Sequence, residues 1–135
     1  MHILLPPSET KRDGGVDGTA LDLQALSFPA LTATRRRMLA AVRALSSHRG
    51  NAAAALGLSA SQYFEVERNR ALRRSPVMPA IDRYTGVLYD ALDAATLPDA
   101  ARRFARDHVV IHSALFGLLG ALDPIPAYRL SHDSR

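Results

Sequence analysis

The chain of 135 residues contains no cysteine. A disulfide framework, thiolate catalysis and a thiolate metal site are therefore excluded. The absence fits a reducing cytoplasm, and that is the expected location. No apolar run approaches the roughly 18 residues of a membrane helix, so no membrane partner is expected. The first apolar run is cut at once by Pro6, Pro7 and Glu9, unlike a secretory leader. The glycines at 14, 15 and 18 do not follow a strand in GxGxxG order, so no dinucleotide or P-loop fingerprint is present. His108 and His112 are four apart but lack the glutamate of an HExxH motif. In a strand they would sit roughly 13 Å apart. No metal and no cofactor are expected.

What the chain does have is arginine. Sixteen of its 17 basic residues are arginine, the exception being Lys11. Nine lie between Arg35 and Arg74, where Glu65 and Glu67 are the only acids, so that block nets +7. The remainder nets −3. A segregated basic block reads as a surface for an anion, with nucleic acid the usual partner. The competing reading is a set of helix faces solvated by arginine.

The order of elements points to an α/β chain, with a mixed α+β arrangement as the variant. HILL is a short strand stopped by prolines, followed by a glycine-marked loop expected to be mobile. Helical spacing begins near Thr34 with Met38, Leu39, Val42 and Leu45. Residues 51–72 read as helix, hairpin, helix around Gly57, with Asn51 and Ser59 as caps. Such a hairpin can present backbone N–H groups to a DNA phosphate. Helical periodicity resumes through Val87, Leu88, Ala91 and Leu92, and a further helix opens at Pro98. Residues 108–113 form a second strand, with a turn expected at Gly117 or Gly120. Two strands make no stable sheet, so the expectation is a single domain, 1–135, truncated at its C-terminus.

Two clusters could carry chemistry. PPSETK, after the first strand, holds Ser8 and Lys11 three apart. The Ser–Lys acyl-transfer motif opens a helix and has partner motifs. Here prolines precede it and a glycine loop follows, which argues against that chemistry. The better reading is a polar lip at a strand end, where α/β proteins place ligands, with Lys11 contacting an anion. The alternative is a solvated Pro-Pro turn. Tyr84, Tyr89 and Tyr128 beside Arg83 and Arg129 could bind phosphate or stack a base. They could equally be buried rings and paired guanidinium groups.

Three segments together, LLPPSETK, RYTGVLYDAL and SALFGLLGALDPIPAYRLS, resemble the YaaA family of bacterial peroxide-stress proteins. Thr10 stands where that family often has glycine, Phe116 replaces a tyrosine, and Gly120-Ala121 replace Arg-Pro. The resemblance implies an unusual α/β fold with a helix-hairpin-helix, cytosolic location, and binding of double-stranded DNA with weak sequence preference. It also implies protection against peroxide by limiting iron-driven Fenton damage. It places a cleft at Ser8, Glu9, Lys11, Arg83, Tyr84, Gly86, Tyr89, Tyr128 and Arg129. Together with the basic block it points to Arg35, Arg36, Arg37, Arg43, Gly57, Ser59, Arg73 and Arg74 as DNA contacts. The alternative is an enzyme acting on a nucleotide or nucleic acid through the Lys/Tyr/Arg cleft.

Overall fold

Strand β1 (Ile3–Leu5) is short because Pro6 and Pro7 supply no N–H to extend a ladder. In the computed structural model, which describes residues 1–46, 56 and 64–130, β1 pairs in parallel with β3 (Val109–Ser113). The partners are Ile3 with Val109 and Leu5 with Ile111. β3 then turns through residues 114–116 and pairs antiparallel with β4 (Gly117–Gly120). The sheet order is β1-β3-β4, so β3 is central and Ile111 is fully buried. Its β-branched residues suit a strand whose Ile111–Ser113 face is buried while His112 on the other face stays exposed. A second, two-stranded ribbon joins β2 (Met78–Pro79) to β5 (Pro124–Ile125).

Of the two positions expected for a turn, Gly117 opens the strand β4, while Gly120 closes that strand into a turn in which its carbonyl accepts from the Asp123 N–H. The reversal from β3 occurs just before β4, where the Ser113 hydroxyl accepts from the Phe116 N–H. Gly120 is also needed for a close approach. A Cβ there would lie 2.8 Å from Ser27 Oγ, and Asp123 bridges the same place by accepting from the Gly120 and Ser27 amides.

Helix α1 (Thr32–Leu45) follows its periodicity and buries Leu39 and Val42. Helix α2 (Phe64–Arg70) buries Val66, and α5 (Asp99–His108) leads directly into β3. Leu39, Leu72, Leu115, Phe116, Leu119 and Ile125 close the core. Each such side chain contributes about 1.5–3 kcal/mol on burial.

The periodic segment after Pro79 is not one helix. It divides into α3 (Ala80–Arg83) and α4 (Val87–Leu92). Tyr84 is pulled into extended backbone by a bridge to Lys11. Arg12 N–H donates to the Arg83 carbonyl, and Thr85 N–H to the Thr10 carbonyl. Gly86 continues the break at φ 119°, in the region that favours glycine. The post-strand loop therefore lies antiparallel along residues 83–85, joined to them by a single β-bridge. Tertiary pairing overrides helical periodicity here.

The glycine loop, expected to be mobile, is anchored. Val16 N–H donates to the Val77 carbonyl, and the Gly14 carbonyl accepts from Arg83. Most of the segment read as helix-hairpin-helix, including Gly57 and Ser59, lies outside the described residues. Among the described residues no helix is long and apolar enough to cross a membrane, and no group of residues could hold a metal ion.

Candidate functional site

Pro6 and Pro7 end β1 at the carboxyl edge of the sheet, and the next five residues fold back against Tyr84. Lys11 is carried inward by this path and is 7% exposed. Its ammonium donates to the carbonyls of Ser8 and Glu9, both at 3.1 Å. It also lies 4.3 Å from the Tyr128 ring centroid and 5.5 Å from that of Tyr84. Two aromatic faces can favour a cation, but they replace little of its hydration.

The tyrosines form one connected unit. Tyr84 and Tyr128 share a hydroxyl–hydroxyl hydrogen bond of 2.5 Å, and Tyr128 shares another of 2.7 Å with Ser113. Tyr89 stacks on Tyr84 and donates to the Pro6 carbonyl. Burial pushes the Tyr84 and Tyr128 hydroxyls above the usual phenol range, so both remain protonated donors.

Arg129 completes the cluster. Asn69, on α2, accepts from its N–H and donates to its carbonyl, at 2.7 and 2.8 Å. This two-point clamp fixes the Arg129 backbone, and the guanidinium at the end of the side chain reaches the Glu9 carboxylate at 3.2 Å. Glu65 enters from the same helix. Its Oε1 accepts from Arg68 at 2.6 Å. Arg68 also donates to the Lys11 carbonyl and pairs with Asp13. Among the described residues four buried side-chain atoms have no partner, and two of them, Glu65 Oε2 and Arg129 Nε, lie in this cluster. Unsatisfied buried polar atoms are costly, and two in one cluster call for an explanation.

The electrostatics follow from this crowding. Burial lowers the Lys11 pKa from 10.5 to about 7; Glu65 opposes the shift, while Arg129 and Arg68 reinforce it. Burial raises the Glu65 pKa against the pull of Arg68 and Lys11. Burial thus pushes both the amine and the carboxyl toward their neutral forms, a pairing suited to proton transfer and nucleophilic attack.

Of the cleft residues read from sequence, Glu9, Lys11, Tyr84, Tyr89, Tyr128 and Arg129 come together. Ser8 and Gly86 flank them, and a Cβ on Gly86 would lie 3.0 Å from Ser8 Oγ. Arg83 is different. It is fully buried, and its guanidinium donates to the carbonyls of Arg12, Gly14, Pro76 and Ile125. It is a strut behind the loop and has no hydrogen bond into the cluster.

The basic block divides in the same way. Arg36, Arg37, Arg73 and Arg74 are exposed, and Arg43 is half-buried. Arg35 is buried and donates to the carbonyls of Phe28, Phe116 and Leu118, so it joins α1 to β4 and does not face a DNA backbone.

Glu65, Arg68, Asn69 and Ser113 were missed in the sequence. Glu65 carried a signal: it is one of two acids in a block of nine arginines, three residues before Arg68 and four before Asn69. Those spacings put all three on one side of a helix.

A model of the family described as "Peroxide stress protein YaaA" matches residues 1–135. The chain belongs to this family. It is 55% identical over 131 residues to a UPF0246 protein of Corynebacterium glutamicum, covering 97% of this chain and 51% of that one. A UPF0246 protein of Streptomyces coelicolor is 42% identical over 132 residues, covering 97% and 50%. The chain spans about half the length of these YaaA-family relatives. The segments that carry the resemblance, around Lys11, Tyr84 and Tyr128, are those that meet in the cluster.

Proposed function

We propose that this YaaA-family chain is part of a peroxide-stress protein that binds duplex DNA through its phosphates and so limits iron-driven damage to it. The exposure of Arg36, Arg37, Arg73 and Arg74 carries this reading. Arginines placed outward on a helix and on the turn after another can neutralise a phosphate backbone without reading sequence. The family's description as a peroxide stress protein supplies the context. Any effect on iron is indirect in this reading, through the DNA.

The test is a salt titration of duplex binding by the full-length protein. The logarithm of the affinity should fall linearly with the logarithm of salt, with slope about −0.9 per phosphate neutralised. Joint replacement Arg36→Ala and Arg37→Ala should reduce the slope by about 2 and weaken all sequences alike. Binding that is absent at low salt, or insensitive to salt, refutes the reading.

A second reading, an enzyme acting on nucleic acid or a nucleotide, is favoured by one observation. Lys11, Glu65 and Arg129 form an enclosed polar cluster, two atoms of which have no partner. A surface built only for backbone contact has no use for it.

A further inference from the structure

We propose that Lys11 is an imine-forming amine whose substrate is an aldehyde carrying a phosphate, with Glu65 as proton donor and Arg129 as the phosphate contact. The chemistry stands on the cluster itself. The aldehyde's source in DNA rests on the reading above, because a sugar that has lost its base opens to an aldehyde flanked by phosphates.

Four features converge on this assignment. Lys11 Nζ has three substituent positions beyond its own chain, and two are directed at the Ser8 and Glu9 carbonyls. Among the described residues no carboxylate lies within ion-pair distance of it, so the third position has no charged partner. Lys11 is buried against the Tyr84 and Tyr128 rings, and it is this loss of hydration, not the ring faces themselves, that favours the uncharged nucleophile. Glu65 Oε2, buried and without a partner, can hold a proton for a ligand oxygen.

The fourth feature is Arg129. Its Nε is buried without a partner, and its terminal nitrogen meets only Glu9, whose side chain is 56% exposed. An incoming phosphate can take the place of the Glu9 carboxylate and use the fork of Nε and the terminal nitrogen together. Guanidinium groups favour that two-point geometry.

The step balances without a co-reactant. The Lys11 nitrogen lone pair attacks the carbonyl carbon, and the C=O π pair moves to oxygen, which takes the proton from Glu65. The nitrogen then loses a proton to the Glu65 carboxylate. The carbinolamine hydroxyl leaves as water on regaining that proton, and the nitrogen lone pair closes the C=N bond. A second proton lost from nitrogen, or retained there, gives the imine or the iminium. Nothing is oxidised or reduced.

The experiment is reductive trapping on the full-length protein with sodium cyanoborohydride. Three arms are run: a duplex with one abasic site, free ribose 5-phosphate, and the intact duplex. Peptide mass spectrometry then locates the adduct. Lys11 is the only lysine of this chain, so the site is read without a variant. The expected result is an adduct on Lys11 with an aldehyde arm and none with intact duplex. Trapping with the abasic duplex makes DNA the source; trapping with ribose 5-phosphate alone makes it a free sugar phosphate.

The trapping rate should rise about tenfold from pH 6 to pH 8 and then level off, as for an amine with a pKa of about 7. An ordinary lysine would keep rising. Lys11 unmodified in both aldehyde arms, or adducts only on the N-terminal amine, overturns the proposal. Binding of the intact duplex, measured alongside, reports separately on the DNA reading.

Discussion

Replacing Arg83 by methionine is expected to destabilise the full-length protein by about 3–5 kcal/mol, because one buried and three part-buried carbonyls lose their donor at once. Methionine keeps the length of the chain but offers no N–H group. The carbonyls of Arg12, Gly14, Pro76 and Ile125 come from three distant stretches, and Arg83 is their common donor. Each orphaned buried carbonyl costs about 1–3 kcal/mol. Arg83→Lys should recover only part of the loss, since an ammonium lacks the planar fork that reaches several acceptors. Urea denaturation checks both. A cost for Arg83→Met below about 1 kcal/mol, the size of an ordinary surface change, contradicts the role of strut.

Lys11→Met should do the opposite, stabilising the protein near pH 7 while abolishing ligand chemistry. The sign follows from proton binding. Burial brings the folded-state pKa to about 7 from the ordinary 10.5. Between those values the unfolded chain binds more protons than the folded one, so stability rises with pH across that window. Below pH 7 the cost of burying the charge is present in full. The shift corresponds to a penalty on the order of 5 kcal/mol. Losing two carbonyl bonds and the ring contacts offsets part of it, leaving an expected gain of about 1–3 kcal/mol. The difference between Lys11→Met and the parent protein should shrink as pH approaches 10, measured by denaturation at a series of pH values. A variant less stable than the parent at pH 7 would mean that Lys11 is a structural cation.

Such a residue, kept despite its cost to stability, is a mark of function rather than of folding. How far it could be read from sequence is uneven. β1 and β3 were legible as short apolar runs, and α1 as helical spacing. Their parallel pairing was not, because register is a property of two segments. The break at Tyr84–Gly86 was also hidden, since it is imposed by Lys11 from more than 70 positions away. β4 was obscured by its glycines, which read as a turn.

Arginine misled most. Arg35 and Arg83 look like surface charge in a basic block, yet both are buried as donors to backbone carbonyls. Residue type gives charge but not direction, and five N–H donors suit an arginine to either setting. The meeting of Lys11, Tyr84, Tyr128 and Arg129 was expected from resemblance to a family. Glu65 and Asn69 emerged only when α2 was placed beside that meeting.

The most direct measurement is the titration of the Lys11 side-chain nitrogen in the folded protein, followed by NMR. The account predicts a midpoint near 7, set by burial between Tyr84 and Tyr128 and by Arg129 and Arg68. A midpoint at the ordinary 10.5 would show a solvated lysine on a turn, and the site built around it would fall.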